Sequence, residues 1–185
     1  MSQHRSRITR RKTRRASRGR MGGTCPQSSR PGRAKPGRHR RRLPRTLHLI
    51  DLENLCPGGR VTTAMVQKVW DSYKSEAGVS NGDAVVVGVG RSNAATAFFA
   101  LPDGIRRVVG RGLDGADLAL LEAGDPEWAQ RRFQRLMIAS GDHIFAPRVY
   151  ECVAAGMPVE LVFGAGRPHP DLIRTGAPIH RLAIA

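Results

Sequence analysis

From Leu47 onward the chain carries six short apolar runs that are continuous rather than alternating: LHLI (47–50), AVVVGVG (84–90), RRVVG (106–110), LMIAS (136–140), VELVF (159–163) and IHRLAI (179–184). A strand with one wet face alternates apolar and polar residues, whereas a strand covered on both faces has no polar side to show. The runs therefore predict strands inside a mainly parallel sheet. Between them, helical patterns are predicted at 62–77, 92–101, 115–123, 126–134 and 146–155. In the first of these, Thr62 or Thr63 is the N-cap, and Ala64, Met65, Val69, Trp70 and Tyr73 form the inward stripe. Trp70, Phe98, Phe99 and Phe133 are spaced as core residues rather than as a base-stacking surface. Alternating strands and helices predict an α/β fold, a three-layer α/β/α sandwich with a mainly parallel central sheet.

Charge divides the chain in two. Residues 1–46 hold 17 Lys and Arg and no acid, which leaves 14 basic against 15 acidic residues from position 47 on. The whole formal excess of +16 thus belongs to the first segment. That segment is rich in Arg, Gly, Pro and Ser and nearly empty of large apolar residues, so it cannot bury enough surface to offset chain entropy. The expected organisation is a disordered basic tail over 1–46 and one domain over 47–185. Attraction to nucleic acid is the principal use of such a tail. An upstream extension of the reading frame with no role, given the later Met21, and a transit peptide are the alternatives. No apolar run approaches the roughly 20 residues that span a bilayer, so no membrane partner is expected. Cys25, Cys56 and Cys152 are odd in number and lack metal-like spacing, which points to a reducing, cytoplasmic setting.

In a parallel sheet the loops at the carboxyl ends of the strands converge on one edge, where ligands bind. Three acid-bearing segments fall there: DLEN after the first strand, LDGAD after the third and SGDH after the fourth. A buried carboxylate is costly unless it is paired or bound to a cation, so Asp51, Asp117 and Asp142 together ask for a hard divalent ion.

IDLENL, GADLALL and IASGDHIFAPRVYECVAAGMPVELV resemble the NYN domain, a branch of the PIN-like ribonuclease superfamily, over most of residues 47–183. Asp51 and Asn54 match the Asp-x-x-Asn of that family, Asp117 its Gly-x-Asp on a helix, and Ser140–Gly141–Asp142 its Ser-Gly-Asp. The resemblance implies a Mg²⁺- or Mn²⁺-dependent RNA phosphodiesterase with Asp51, Asp117 and Asp142 as catalytic metal ligands. Many members carry a further acid two residues after the Asp of Ser-Gly-Asp, where this chain has Ile144. A site with one ligand fewer leaves open a module that binds RNA without turning it over.

The residues around these acids have more than one reading. Glu53 is a ligand or faces solvent, and Asn54 holds the strand-end loop or positions a water or phosphate. Ser140 makes a turn hydrogen bond or touches substrate, and Asp114 is a helix cap rather than a ligand. His143 is an exposed loop histidine, with an acid or a phosphate contact as the less common role. GVGRSN (88–93) suggests a dinucleotide site but lacks the third Gly and the later acid; Arg91 and Ser92 meet an RNA backbone instead. GAGRPHPDL (164–172) is expected to be a loop.

If about six tail charges engage single-stranded RNA, log affinity should fall with log salt at a slope of roughly −4. A chain without residues 1–46 should show a much shallower slope when titrated with RNA by fluorescence anisotropy. Equal slopes would mean that the tail is passive.

Overall fold

The computed structural model describes residues 44–184, so most of the basic tail lies outside the described residues. Six strands form one all-parallel sheet in the order β3-β2-β1-β4-β5-β6. They are β1 (Thr46–Asp51), β2 (Ala84–Gly90), β3 (Arg106–Gly110), β4 (Arg135–Ala139), β5 (Val159–Phe163) and β6 (Ile179–Arg181). The helices are α1 (Leu52–Leu55), α2 (Thr63–Glu76), α3 (Ala94–Ala100), α4 (Gly115–Ala123), α5 (Pro126–Gln130), α6 (Ala146–Ala154) and α7 (Pro170–Arg174). Every strand-to-strand pairing within the sheet is parallel, which requires a crossover over one face each time.

Successive side chains of a strand point to opposite faces, and the core divides accordingly. Leu47, Leu49, Val86, Leu136 and Ile138 face one side, with Leu120 of α4, Val149 of α6 and Leu172 of α7. Ile50, Val85, Val87, Met137 and Ala139 face the other, with Leu55 of α1, Val69 and Tyr73 of α2 and Ala97 of α3. These are the three layers of the sandwich. The absence of alternation in β1, β2, β4 and β5 has its cause here, because both faces of these central strands are dry; the edge strands β3 and β6, also expected to be covered, are partly exposed because each has a neighbour on one side only. Among the described residues no helix is long and apolar enough to cross a membrane.

Several boundaries and faces differ from the sequence expectation. Arg45 and Thr46 belong to the fold: the Arg45 carbonyl accepts from Gln134 N–H at 2.9 Å, and Thr46 N–H donates to Asp83 Oδ1 at 2.7 Å. A truncation that isolates the fold must therefore keep both. Thr62 is the N-cap of α2, its Oγ1 accepting from Met65 N–H at 3.2 Å. Val66 is buried in the stripe where Ala64 was expected, and Ala64 is exposed. Phe99 is 91% exposed rather than core. Ala97 points α3 at the sheet, and a residue two positions on lies about 200° round the helix, on the wet side. The segment expected to be helical at 126–134 stops at Gln130, and α7 occupies part of the stretch expected to be loop.

The junction between β3 and α4 fixes where Asp117 goes. A Cβ on Gly110 would lie 1.9 Å from both Ala116 N and the Gly115 carbonyl carbon, so strand end and helix start touch backbone to backbone. Asp114 occupies the N-cap position of α4, but its side chain makes no capping bond. Its backbone is left-handed, φ 54°, whereas a side-chain-accepting cap needs extended backbone. Gly110→Ala should cost about 3 kcal/mol of unfolding free energy, as overpacking against rigid backbone does. Urea denaturation measures this, and a loss below about 0.5 kcal/mol would show that the contact yields.

Candidate functional site

The alternation that divides the core also assembles the site. Counting along β1, Leu47 and Leu49 face the α4 side, and Asp51 follows in the same phase. Along β4, Leu136 and Ile138 do the same, and Ser140 follows. Ile50 pairs with Ala139 across the sheet, so Asp51 and Ser140 leave neighbouring strand ends side by side. The order 3-2-1-4-5-6 reverses direction between β1 and β4, so this is the point where successive connections part to opposite faces and leave a crevice.

Asp51 is 6% exposed. Its Oδ2 accepts from the Ser140 hydroxyl at 2.9 Å, and its Oδ1 accepts from Asn54 N–H at 3.2 Å, capping α1. Ser140 is fully buried, and its Oγ also accepts from Asp142 N–H at 3.1 Å. Asn54 bridges the two strand ends from the other side: its Oδ1 accepts from Gly141 N–H at 2.7 Å. The loop-holding roles of Asn54 and Ser140 are thus both present.

Asp117, on the first turn of α4, is 9% exposed and reaches Asp51. The two buried carboxyl groups lie within hydrogen-bonding reach of each other, so a proton on either one can be shared between them. Burial, then the charges of Asp51 and Asp142, push the Asp117 carboxyl up to about 7. Burial raises Asp51 as well, against the hydrogen bonds from Ser140 and Asn54. Asp117 Oδ1 has no hydrogen-bond partner, although it is buried. An orphaned carboxylate oxygen in such a place is expensive, and a cation is the kind of group that relieves it.

Asp142 stands at the rim, half-exposed. Its Oδ1 accepts from Ile144 N–H at 3.0 Å and lies 2.9 Å from His143 Nδ1, so it caps the short 3₁₀ turn His143–Phe145. Ile144 packs against the core. Arg91 is exposed in the turn after β2, and its side chain makes no hydrogen bond or ion pair among the described residues. Its neighbour Asn93 is the residue that turns toward the acids, donating from Nδ2 to Glu53 Oε1. Glu53 is therefore tied to the β2–α3 turn rather than directed at open solvent.

Two residues near the site went unmarked in the sequence: Asn93 and His169, which sits beside His143 with ring centroids 4.9 Å apart. Nothing in their local spacing distinguishes them, because each meets its partner only through the sheet order. The glycines of GVGRSN serve packing. A Cβ on Gly88 would lie 2.6 Å from Leu120 Cγ, and one on Gly90 would lie 3.2 Å from the Glu53 carboxylate oxygens. A pyrophosphate there would face a carboxylate, so the dinucleotide reading has no cradle.

The donors at the strand ends are hard oxygens, the class that suits Mg²⁺ or Mn²⁺. Among the described residues no three Asp, Glu, His or Cys side chains form a ready-made cage. Asp51 and Asp117 instead hold each other. No family model, curated protein or solved structure matches the chain.

A carboxyl group whose folded value is raised from 3.8 to about 7 holds its proton better folded than unfolded. Its contribution to stability is full below about 4 and lost as pH climbs to about 7. In chelator, thermal stability should fall over that interval, and Asp117→Asn should remove most of the fall. At pH 8 the variant should melt higher than the parent by on the order of 5 °C. A lower melting temperature for Asp117→Asn at pH 8 would contradict the raised value.

Proposed function

We propose that this chain is a metal-dependent endoribonuclease of the PIN-like class, within its NYN branch. The observation that carries the reading is the buried Asp51–Asp117 pair, with Asp117 Oδ1 unpartnered, at the crevice between β1 and β4. The reading is supported by the place of the residues that carry the resemblance: Asp51, Asn54, Asp117 and Ser140–Gly141–Asp142 all lie at the carboxyl edge of the sheet.

Asp51, Asp117 and Asp142 are the residues that would hold Mg²⁺ or Mn²⁺. A bound ion supplies neutralising charge for a phosphodiester and acidifies a water. The chain's own residues prepare the place. Ser140 and the Asn54 N–H keep the Asp51 carboxylate oriented, and the Asn54 side chain locks the Ser140–Gly141–Asp142 segment against α1. On this reading the exposed Asn54 amide and Arg91 would donate to RNA phosphates. Buried free thiols at Cys56 and Cys152 agree with a reducing, cytoplasmic setting.

A second reading, an RNA-binding module without turnover, is favoured by one observation. Ile144 packs on the core, so no extra acid completes the cluster from that position.

The deciding experiment incubates the full chain with mixed RNA and DNA in Mg²⁺ or Mn²⁺ and in chelator. Cleavage of RNA only with metal is expected. Asp51→Asn, Asp117→Asn and Asp142→Asn should each lower the rate by more than about 100-fold, and Ser140→Ala by about 10- to 100-fold, as loss of a ligand-orienting group does. Absence of cleavage with retained RNA binding would select the adaptor reading. Undiminished activity in an Asp variant would remove that residue from the site.

A further inference from the structure

The loop between β5 and α7, residues 164–169, lies at the same carboxyl edge as the acids and is tied to both segments that carry them. At its start, a Cβ on Gly164 would stand 2.6 Å from the Leu55 carbonyl oxygen, so the loop runs against the backbone of α1. At its end, His169 N–H donates to the Gly141 carbonyl at 2.8 Å. The loop is therefore held in register with Asn54 on one side and Asp142 on the other.

This loop carries two unspent donors. His169 Nδ1 accepts from Asp171 N–H at 3.3 Å, which places the hydrogen of a neutral ring on Nε2. With Asp171 Oδ2 3.5 Å from the same Nδ1, a protonated ring also keeps its Nε2–H. Nε2 is thus a donor in either state, and no described group receives it. Arg167, two residues earlier, is exposed and makes no hydrogen bond or ion pair among the described residues. Of the nearby carboxylates, Asp171 is paired with Arg174, and Asp142 uses Oδ1 for Ile144 N–H and His143, which leaves its Oδ2 to the acids' side of the crevice. The groups left over on the loop itself are both donors, so an anion finds a fixed imidazole N–H and a guanidinium there.

We propose that Arg167 and His169 form a phosphate subsite that takes the phosphodiester adjacent to the one facing Asp51, Asp117 and Asp142. The subsite rests on the ribonuclease reading and extends it. It fixes the direction in which the strand leaves the acids, over the β5 side of the crevice. The Arg91 turn lies on the opposite, β2 side, so the scissile position falls between two basic flanks.

The test uses the full chain, Arg167→Ala and His169→Asn. Asparagine keeps a side-chain acceptor for the start of α7 but lacks the ring Nε2–H, which separates capping from binding. Affinity for a single-stranded RNA of about 12 nucleotides is measured by fluorescence anisotropy in Ca²⁺ across roughly 50 to 300 mM salt. Mn²⁺ affinity and melting temperature are measured in parallel, and cleavage of the same RNA in Mn²⁺ is followed for the parent. Each variant should bind about tenfold more weakly, with Mn²⁺ affinity and melting temperature retained. Arg167→Ala should also flatten the salt slope by about 0.7. If both variants bind as the parent does while the parent cleaves RNA, the subsite is overturned and the nuclease reading stands. Loss of Mn²⁺ affinity along with RNA affinity would overturn it too, since the residues would then act through the acids. A parent chain that neither binds nor cleaves RNA would overturn both.

Discussion

The pairing of Asp51 with Asp117 is the constraint around which the rest of this molecule is arranged. A carboxyl group at the end of a strand that is dry on both faces cannot be hydrated, and Asp51 meets that cost with a buried hydroxyl, a helix-start N–H and a second carboxyl group. Each of these donors comes from a different segment. Ser140 requires β4 beside β1, Asn54 requires a helix to begin at once after β1, and Asp117 requires α4 to begin hard against the end of β3. The parallel order of the sheet and the backbone contact at Gly110 are therefore conditions for the site as much as for the core. Relaxing any one of them leaves a buried charge without its partner, which costs more than the lost hydrogen bond alone.

The layered fold was legible in the sequence because burial on both faces removes alternation, and that signal lies in each strand by itself. The place of Asp51, Asp117 and Asp142 at the carboxyl edge was legible because each closes or follows an apolar segment there. The errors have a common origin in contacts that no local pattern encodes. Phe99 carries the composition of a core residue, but Ala97 decides which side of α3 meets the sheet. Asp114 has the spacing of a cap, but the close approach of Gly110 to α4 bends its backbone into the left-handed region. Asn93 and His169 face the acids only because β2 and β5 flank the β1–β4 pair, an order that spacing along the chain does not state.

A third acid, Asp83, partly buried at the opposite edge of the sheet, shows how environment sets two carboxyl groups apart. Asp83 sits before β2, where Oδ1 accepts from Thr46 N–H at 2.7 Å and Oδ2 accepts from the Ser80 N–H and hydroxyl, both at 2.8 Å. Burial pushes its carboxyl upward, yet these hydrogen bonds and His48 nearby together outweigh it and hold it below the usual range. Asp83 is thus a satisfied anion that anchors the start of β1, with His48 bonded in turn to Tyr73 at 2.8 Å.

Asp117 has the same side chain and the opposite balance. It collects no N–H donors, faces two like charges and keeps an oxygen without a partner. Folding could have satisfied it as it satisfied Asp83, since a single Ser or backbone N–H in reach of Oδ1 would suffice. A protein that holds one acid fully bonded at the amino edge and leaves another exposed to repulsion at the carboxyl edge has concentrated its electrostatic strain where ligands enter a parallel sheet. That asymmetry separates the two edges of the molecule. At the amino edge Asp83 has every oxygen bonded, whereas at the carboxyl edge Asp117 Oδ1 is buried without a hydrogen-bond partner and the Arg167 guanidinium makes no ion pair among the described residues.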